Sequence, residues 1–254
     1  MSSAAGRRRT SRRDVRCIGL AKRFDADEVL AGVDLDLGPG ELVVVIGLNG
    51  AGKTTLQRSL AGVITPSSGR ITWDGGVSIR DDLTLHRQMM FLPDAPLLIE
   101  QHTVLQHLAV VLRAYDRDAV GEDAVVEVLR ELDLLDHHDR RLAGLSRGQR
   151  YKAALAALLL TGPELWLLDE PFASGMDPQG MQVLKRRARQ AVGTGACIVY
   201  TTQIIEIAER FCDCLLVVDR GRIAHRLSAA ELRAMSAEGP GSLGESLAVF
   251  RERR

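Results

Sequence analysis

Two short stretches of the chain carry residues whose types and spacing suit phosphate chemistry. The first, Gly47–Thr55 (GLNGAGKTT), fits the pattern G-x-x-x-x-G-K-[ST]. Glycines at 47, 50 and 52 let consecutive backbone N–H groups, those of Leu48, Asn49 and Ala51 among them, turn inward around phosphate oxygens. Lys53 offers a point charge to the β- and γ-phosphates of a nucleotide, and the hydroxyl of Thr54, followed by Thr55, is placed to ligate Mg²⁺. The second stretch is Leu165–Glu170 (LWLLDE), an apolar run that ends in adjacent carboxylates. Two anions at the end of a buried strand are costly unless a cation sits beside them, so Asp169 is assigned to the metal. Glu170, one residue beyond, is the candidate to orient or deprotonate an attacking water. Taken singly, each stretch has a plainer reading: a coincidental glycine turn, or an acidic pair that caps a helix. Their coexistence argues against both.

Such chemistry needs a strand before the glycine loop and a helix after it, and both are legible. Glu41–Ile46 (ELVVVI) is a continuous apolar run of the kind buried on both faces of a sheet. A helix is expected over Lys53–Ala61, its N-terminal end adding positive potential to the loop. Upstream, Val15–Phe24 and Val29–Leu37 alternate apolar and polar residues as half-buried strands do. Pro66–Gly69 reads as a turn, Arg70–Trp73 as a strand and Asp74-Gly75 as a second turn. Further strand-like runs are Met89–Leu92 (closed by Pro93), Leu165–Leu168, Cys197–Thr201 and Leu215–Val218, separated by helical segments. That alternation builds a parallel sheet of α/β type. From Thr103 to Leu145 the pattern is helical: Leu105, Leu108, Val111 and Leu112 share one face, as do Val125, Val128, Leu129 and Leu132. The expected fold is therefore α/β, a P-loop NTPase core with a parallel sheet, an N-terminal antiparallel β-subdomain and a helical subdomain inserted at about residues 95–160.

The length of 254 residues suits one such domain, expected over 14–237, with 238–254 as a C-terminal tail. Formal net charge is zero, yet Arg7, Arg8, Arg9, Arg12, Arg13 and Arg16 face only Asp14 in the first sixteen residues. Residues 1–13 read as a disordered basic arm, either a solvated tail or a weak attraction for anionic headgroups. No apolar stretch follows the Ser11-Arg12-Arg13 triplet, so an export signal is not expected. No run of apolar residues is long enough to span a bilayer. Cys17, Cys197, Cys212 and Cys214 are scattered without zinc spacing, as expected of reduced thiols.

Between the two phosphate stretches lies Leu145-Ser146-Arg147-Gly148-Gln149. With this segment in that order and distance, the chain resembles the ABC ATPase family, whose LSGGQ signature precedes an LLDEP-type strand. The resemblance covers about Val15 to Leu232. It implies ATP and Mg²⁺ as ligands and a head-to-tail dimer, in which Ser146 and Gly148 of one subunit, with Gln149 completing the motif, meet the γ-phosphate held by a second. Phe24 stands 23 residues before Gly47, where the family keeps an aromatic to stack on adenine; core packing is the other reading. Ser174-Gly175-Met176-Asp177 resembles the family's D-loop.

Two positions depart from the family pattern. Asp94, in FLPDAP, replaces the usual glutamine of the Q-loop and is assigned to the metal; an acidic residue there resembles exporter-type members reading LPE. Gln203 follows Tyr200-Thr201-Thr202 at the position of the switch histidine. Its amide hydrogen-bonds phosphate or water but cannot become cationic, so slower hydrolysis is expected.

The resemblance implies an ATP-hydrolysing subunit of a transporter, an exporter by preference. It would sit peripherally on the cytoplasmic face of the cell membrane and bind transmembrane permease subunits on separate chains and a second ATPase subunit. One alternative is a degenerate ATP-binding subunit paired with a more active one. Another is a family member acting on nucleic acid or ribosomes. No specific nucleic-acid partner is expected: only 91 residues separate Thr55 from Ser146, with no sustained heptads, and the basic arm lacks aromatics for stacking.

Overall fold

The computed structural model of the chain describes residues 14–73, 77–78, 83–204, 208 and 211–237. The basic arm, the Asp74-Gly75 turn and the tail from 238 onward lie outside the described residues. Strands β1 (Val15–Phe24), β2 (Asp27–Leu37), β4 (Ser68–Trp73) and β5 (Val77–Ser78) form an antiparallel sheet in the order β2-β1-β4-β5. Alternation sets its faces: Val33, Leu35 and Leu37 point inward, whereas Asp34 and Asp36 point to water.

The second sheet contains β3 (Leu42–Ile46), β6 (Met89–Leu92), β7 (Leu165–Leu168), β8 (Cys197–Thr201), β9 (Cys214–Asp219) and β10 (Arg222–Ser228), in the order β10-β9-β3-β8-β7-β6. Its strands run parallel except for β10, which pairs antiparallel with β9 at the edge. Strands β3, β7 and β8 are buried along their whole length, which explains why they read as unbroken apolar runs. Leu42, Val44 and Ile46 pack with the helical layer on one face, and Val43 and Val45 pack with the antiparallel sheet on the other. Each such side chain contributes about 1.5–3 kcal/mol on burial, so the ends of these strands are firmly placed. The parallel sheet, antiparallel N-terminal sheet and helical insertion agree with the expected fold.

The helices are α1 (Lys53–Leu60), α2 (Leu83–His86), α3 (Val104–Ala114), α4 (Glu122–Glu131), α5 (Arg147–Thr161), α6 (Pro178–Gly193) and α7 (Ala229–Ala237). Thr103 starts α3 through a capping box with Gln106, and Leu108, Val111 and Leu112 of the expected apolar face pack against the core, Leu105 alone departing from it. Val104, Leu108 and Leu112, four residues apart, point into the core together with His107, while Leu105 is turned outward and is 40% exposed. On α4 the face expected from Val128, Leu129 and Leu132 is buried.

Because β3, β8 and β7 are neighbours and parallel, their carboxyl ends open on the same edge of the sheet. The glycine loop after β3, Asp169 and Glu170 after β7, and Thr202 and Gln203 after β8 are brought together there. This is where open α/β sheets bind ligands.

Candidate nucleotide site

The loop from Gly47 to Gly52 wraps the start of α1. A Cβ at Gly47 would lie 2.3 Å from the carbonyl oxygen of Val218, so only glycine lets the loop leave β3 beside β9. Gly52, at φ 107°, turns the chain into the helix. A cavity of about 200 Å³ opens over the loop, lined by Val29, Asn49, Gly50, Gly52, Lys53, Thr54, Thr55, Glu170 and Gln203.

Lys53 is buried at its base and donates to the carbonyls of Gly47 (2.8 Å) and Leu48 (3.2 Å). Burial lowers its pKa, against the opposing pull of Glu170 and Asp169. Leu48 also accepts from the Ala51 N–H, closing the turn that presents Asn49 and Gly50.

Asp169 is buried and shared by two hydroxyls: Thr54 Oγ1 donates to its Oδ1 at 3.2 Å and Thr201 Oγ1 at 2.7 Å. The Thr201 oxygen in turn accepts from the Glu170 N–H at 2.9 Å. Glu170 adopts φ 48° and ψ 48°, a left-handed conformation uncommon for a non-glycine residue. Gln203 Nε2 donates to Glu170 Oε1 at 3.1 Å, so the two assigned catalytic residues are in contact.

Two positioning residues escaped the sequence reading. Thr201 orients both carboxylate-bearing residues. Gln57, fully buried on α1, donates Nε2 to the carbonyls of Leu168 (3.3 Å) and Val199 (3.1 Å), tying the loop's helix to the end of β7 and the middle of β8. A glutamine among the apolar positions of α1 was the available signal for Gln57; Thr201 gave none beyond lying at a strand end.

Asp94 Oδ1 accepts from Arg147 Nη2, in the signature segment, at 2.6 Å, and its carboxylate makes no hydrogen bond to Thr54. Phe24 is 45% exposed, which excludes core packing; it does not line the cavity, and Lys22 Nζ sits 4.8 Å over its ring.

The signature segment stands apart from this cavity. Ser146 N-caps α5: its Oγ accepts from the Gln149 N–H at 3.2 Å, and Gln149 Oε1 accepts from the Ser146 N–H at 3.0 Å. Gly148 packs so closely that a Cβ there would lie 2.2 Å from the Gly175 carbonyl oxygen. Lys152, one turn further on, is buried and pairs with Asp177, the N-cap of α6. The Lys152 hydrogen bond and charge, with the Gly180 N–H, hold the Asp177 carboxyl below its usual range even though desolvation pushes it upward.

Residues 30–173, which hold the glycine loop, the signature and the carboxylate pair, match the family model described as ABC transporter. The chain belongs to the ABC transporter family. It is similar to the ABC-type transporter ATP-binding protein EcsA of Bacillus subtilis, with 32% identity over 83% of this chain and 85% of that protein. It is also 32% identical to a Nod factor export ATP-binding protein I of Burkholderia thailandensis, over 91% of this chain and 79% of that protein. A solved ATP-binding subunit of an ABC transporter superposes with a TM-score of 0.83 at 29% identity, covering 94% of this chain and 99% of that one. Within the ABC transporter family this chain is an ATP-binding, ATP-hydrolysing subunit. Membership leaves the nucleic-acid alternative without support. No helix among the described residues is long and apolar enough to cross a membrane.

Proposed function

We propose that this chain powers an exporter as a peripheral subunit on the cytoplasmic face of the cell membrane, working in an ATP-sandwiched dimer. The observation that carries the reading is the split site. Lys53, Thr54, Glu170 and Gln203 share one cavity, while Ser146 and Gly148 lie outside it. A second copy or a homologous subunit is then needed to bring a signature segment over the γ-phosphate. The export direction is supported by the likeness to the Nod factor export protein and by the acidic Asp94.

In this mechanism the loop N–H groups hold the phosphates, and Lys53 exchanges the Gly47 and Leu48 carbonyls for phosphate oxygens. Mg²⁺ fits the donor set: Thr54 Oγ1 and Asp169 Oδ1 are hard oxygen ligands, and phosphate and water oxygens complete such a shell. When bound it offsets phosphate charge. Water attacks the γ-phosphorus, the bond to the β-phosphate bridging oxygen breaks, and Glu170 accepts the water proton. Gln203 orients Glu170 but brings no positive charge, which supports a slow motor. The same residue favours one further reading, a weak subunit in a heterodimer with a more active partner.

An apolar groove of about 490 Å³ beside the helical insertion, lined by Val63, Leu97, Leu98, His107, Val111 and Tyr115 among others, is the candidate seat for a cytoplasmic helix of permease subunits. Affinity capture from membranes tests the partnership, with the co-purified permease then reconstituted in inverted vesicles. ATP-dependent efflux from the cytoplasmic side is expected. Capture of soluble proteins alone, or ATP-driven movement in the opposite direction, would count against the reading.

A further inference from the structure

The chain-specific feature of the signature segment is Arg147, the first residue of α5. A helix N-terminus carries partial positive charge, and the first turn of α5 contains no acidic residue to offset it. Arg147 and Arg150 add two more positive charges there. Both find their counter-ions in one neighbouring segment: Arg147 Nη2 meets Asp94 Oδ1 at 2.6 Å, and Arg150 Nη2 meets Glu100 Oε1 at 2.7 Å. The segment from Asp94 to Glu100 is thus pinned to α5 at both ends. Between the pins, Ala95, Pro96, Leu97 and Leu98 form one rim of the apolar groove, and Leu97 is 97% exposed.

The two pins are not equivalent. Arg150 is the more covered arginine, with 29% of its side chain exposed, and it lies a turn inside the helix. Arg147 is 61% exposed, sits between Ser146 and Gly148, and holds a carboxylate that is itself 46% exposed. An exposed pair of this kind is weak and screened by salt. A phosphate offers more negative charge and more acceptor oxygens to a guanidinium than a carboxylate does.

We propose that Arg147 is shared between two anions in turn. In the free subunit it holds Asp94 and with it the groove rim. When the γ-phosphate of a nucleotide held by a second subunit reaches the signature segment, Arg147 turns to it and lets Asp94 go. Release frees the Asp94 end of the segment while Arg150 still holds Glu100, so the groove rim pivots about one end. Arg147 and Asp94 are accordingly positioning residues, and the shape of the groove reports whether the opposing nucleotide is in place. The trigger rests on the ATP-sandwiched dimer proposed above; the hold on the rim does not.

The test uses the full chain carrying Glu170→Gln, to retain ATP, and Leu97→Cys, labelled with an environment-sensitive maleimide fluorophore. Cys17, Cys197, Cys212 and Cys214 are all buried, which confines labelling to the introduced thiol. Without nucleotide, Asp94→Asn and Arg147→Gln should both shift the emission relative to the parent, and in the same direction, whereas Asp94→Glu should not. MgATP should move the parent to that shifted value. It should move Asp94→Asn by less than half as much, compared at equal dimer fraction by light scattering. A full ATP response in Asp94→Asn, or no shift in either neutral variant without nucleotide, overturns the proposal. If MgATP does not dimerise the parent, the sandwich reading and the trigger both fail, while the nucleotide-free comparison still decides whether the pair holds the rim.

Discussion

Gln203 and Glu170 meet at 3.1 Å, amide to carboxylate, across the ends of the adjacent strands β8 and β7. The contact fixes one carboxylate oxygen and leaves the other for water. It also leaves the cavity with Lys53 as the one cation among the described residues that line it. Restoring a histidine at 203 would bring a group that can carry charge as the transition state forms. Gln203→His is expected to raise turnover by on the order of tenfold, about 1.4 kcal/mol of barrier, with ATP affinity nearly unchanged. Gln203→Ala should lower it. Steady-state ATPase assays with the membrane partner present check both, and a slower histidine variant would mean that the site is built around glutamine.

Glu170→Gln keeps the side-chain shape but is a poor base. Hydrolysis should fall by about 10²–10⁴-fold while ATP binding persists, so an ATP-bound dimer accumulates. Light scattering or size exclusion in MgATP reads this directly, and wild-type turnover in the variant would move the catalytic role elsewhere.

Lys53 reaches Gly47 and Leu48 from a buried position, and no other cation among the described residues lines the cavity. Lys53→Ala should abolish measurable ATP binding in calorimetry. Retention of affinity would remove the phosphate-site assignment.

Gly148→Ala drives a methyl group to within 2.2 Å of the Gly175 carbonyl oxygen, a backbone atom that cannot turn aside. A loss of about 1–3 kcal/mol is expected from the overpacking. Gly144→Ala, with nothing within 4 Å of the added carbon, is the matched control and should be close to neutral. Thermal denaturation of the pair separates packing from nucleotide contact, because neither measurement needs ATP.

Asp177 supplies a pH dependence. Folding lowers its pKa, so its contribution is complete above the unfolded carboxyl value of about 3.9 and is lost as pH falls below that through the folded value. Asp177→Asn retains an N-cap for α6 but removes the charge facing buried Lys152. Because nearly half of the Asp177 side chain is exposed and the pair is screened, the variant should be less stable at pH 7 by about 1 kcal/mol at most and should show a flatter stability profile below pH 4. Urea denaturation across that range checks the slope.

The loop, the carboxylate pair and the fold were legible because each is written in contiguous residues: GLNGAGKTT, LWLLDE and the buried strands that end in them. What stayed hidden depends on residues far apart in the chain. Gln57 takes its meaning from Leu168 and Val199, Thr201 from Asp169, and Asp94 from Arg147. Strand β10 was also missed; mostly exposed, it shows no apolar alternation and is held by its backbone pairing with β9. Leu105 and Val104 both stand at helical spacing from Leu108, three and four residues before it, so spacing alone did not separate the exposed residue from the buried one.

The cap on α5 also limits which residue can stand at position 146. Asp, Asn, Ser and Thr all suit a helix start. An aspartate there would repel an approaching phosphate, and an asparagine oxygen that accepts from the Gln149 N–H has no hydrogen of its own to give. The Ser146 oxygen accepts that N–H while its own hydrogen remains available, and the residue is exposed. In the ATP-sandwiched dimer proposed above, one atom would therefore begin the helix and meet an anion at once, so that the dimer could form and part, cycle after cycle, without α5 unwinding at its first turn.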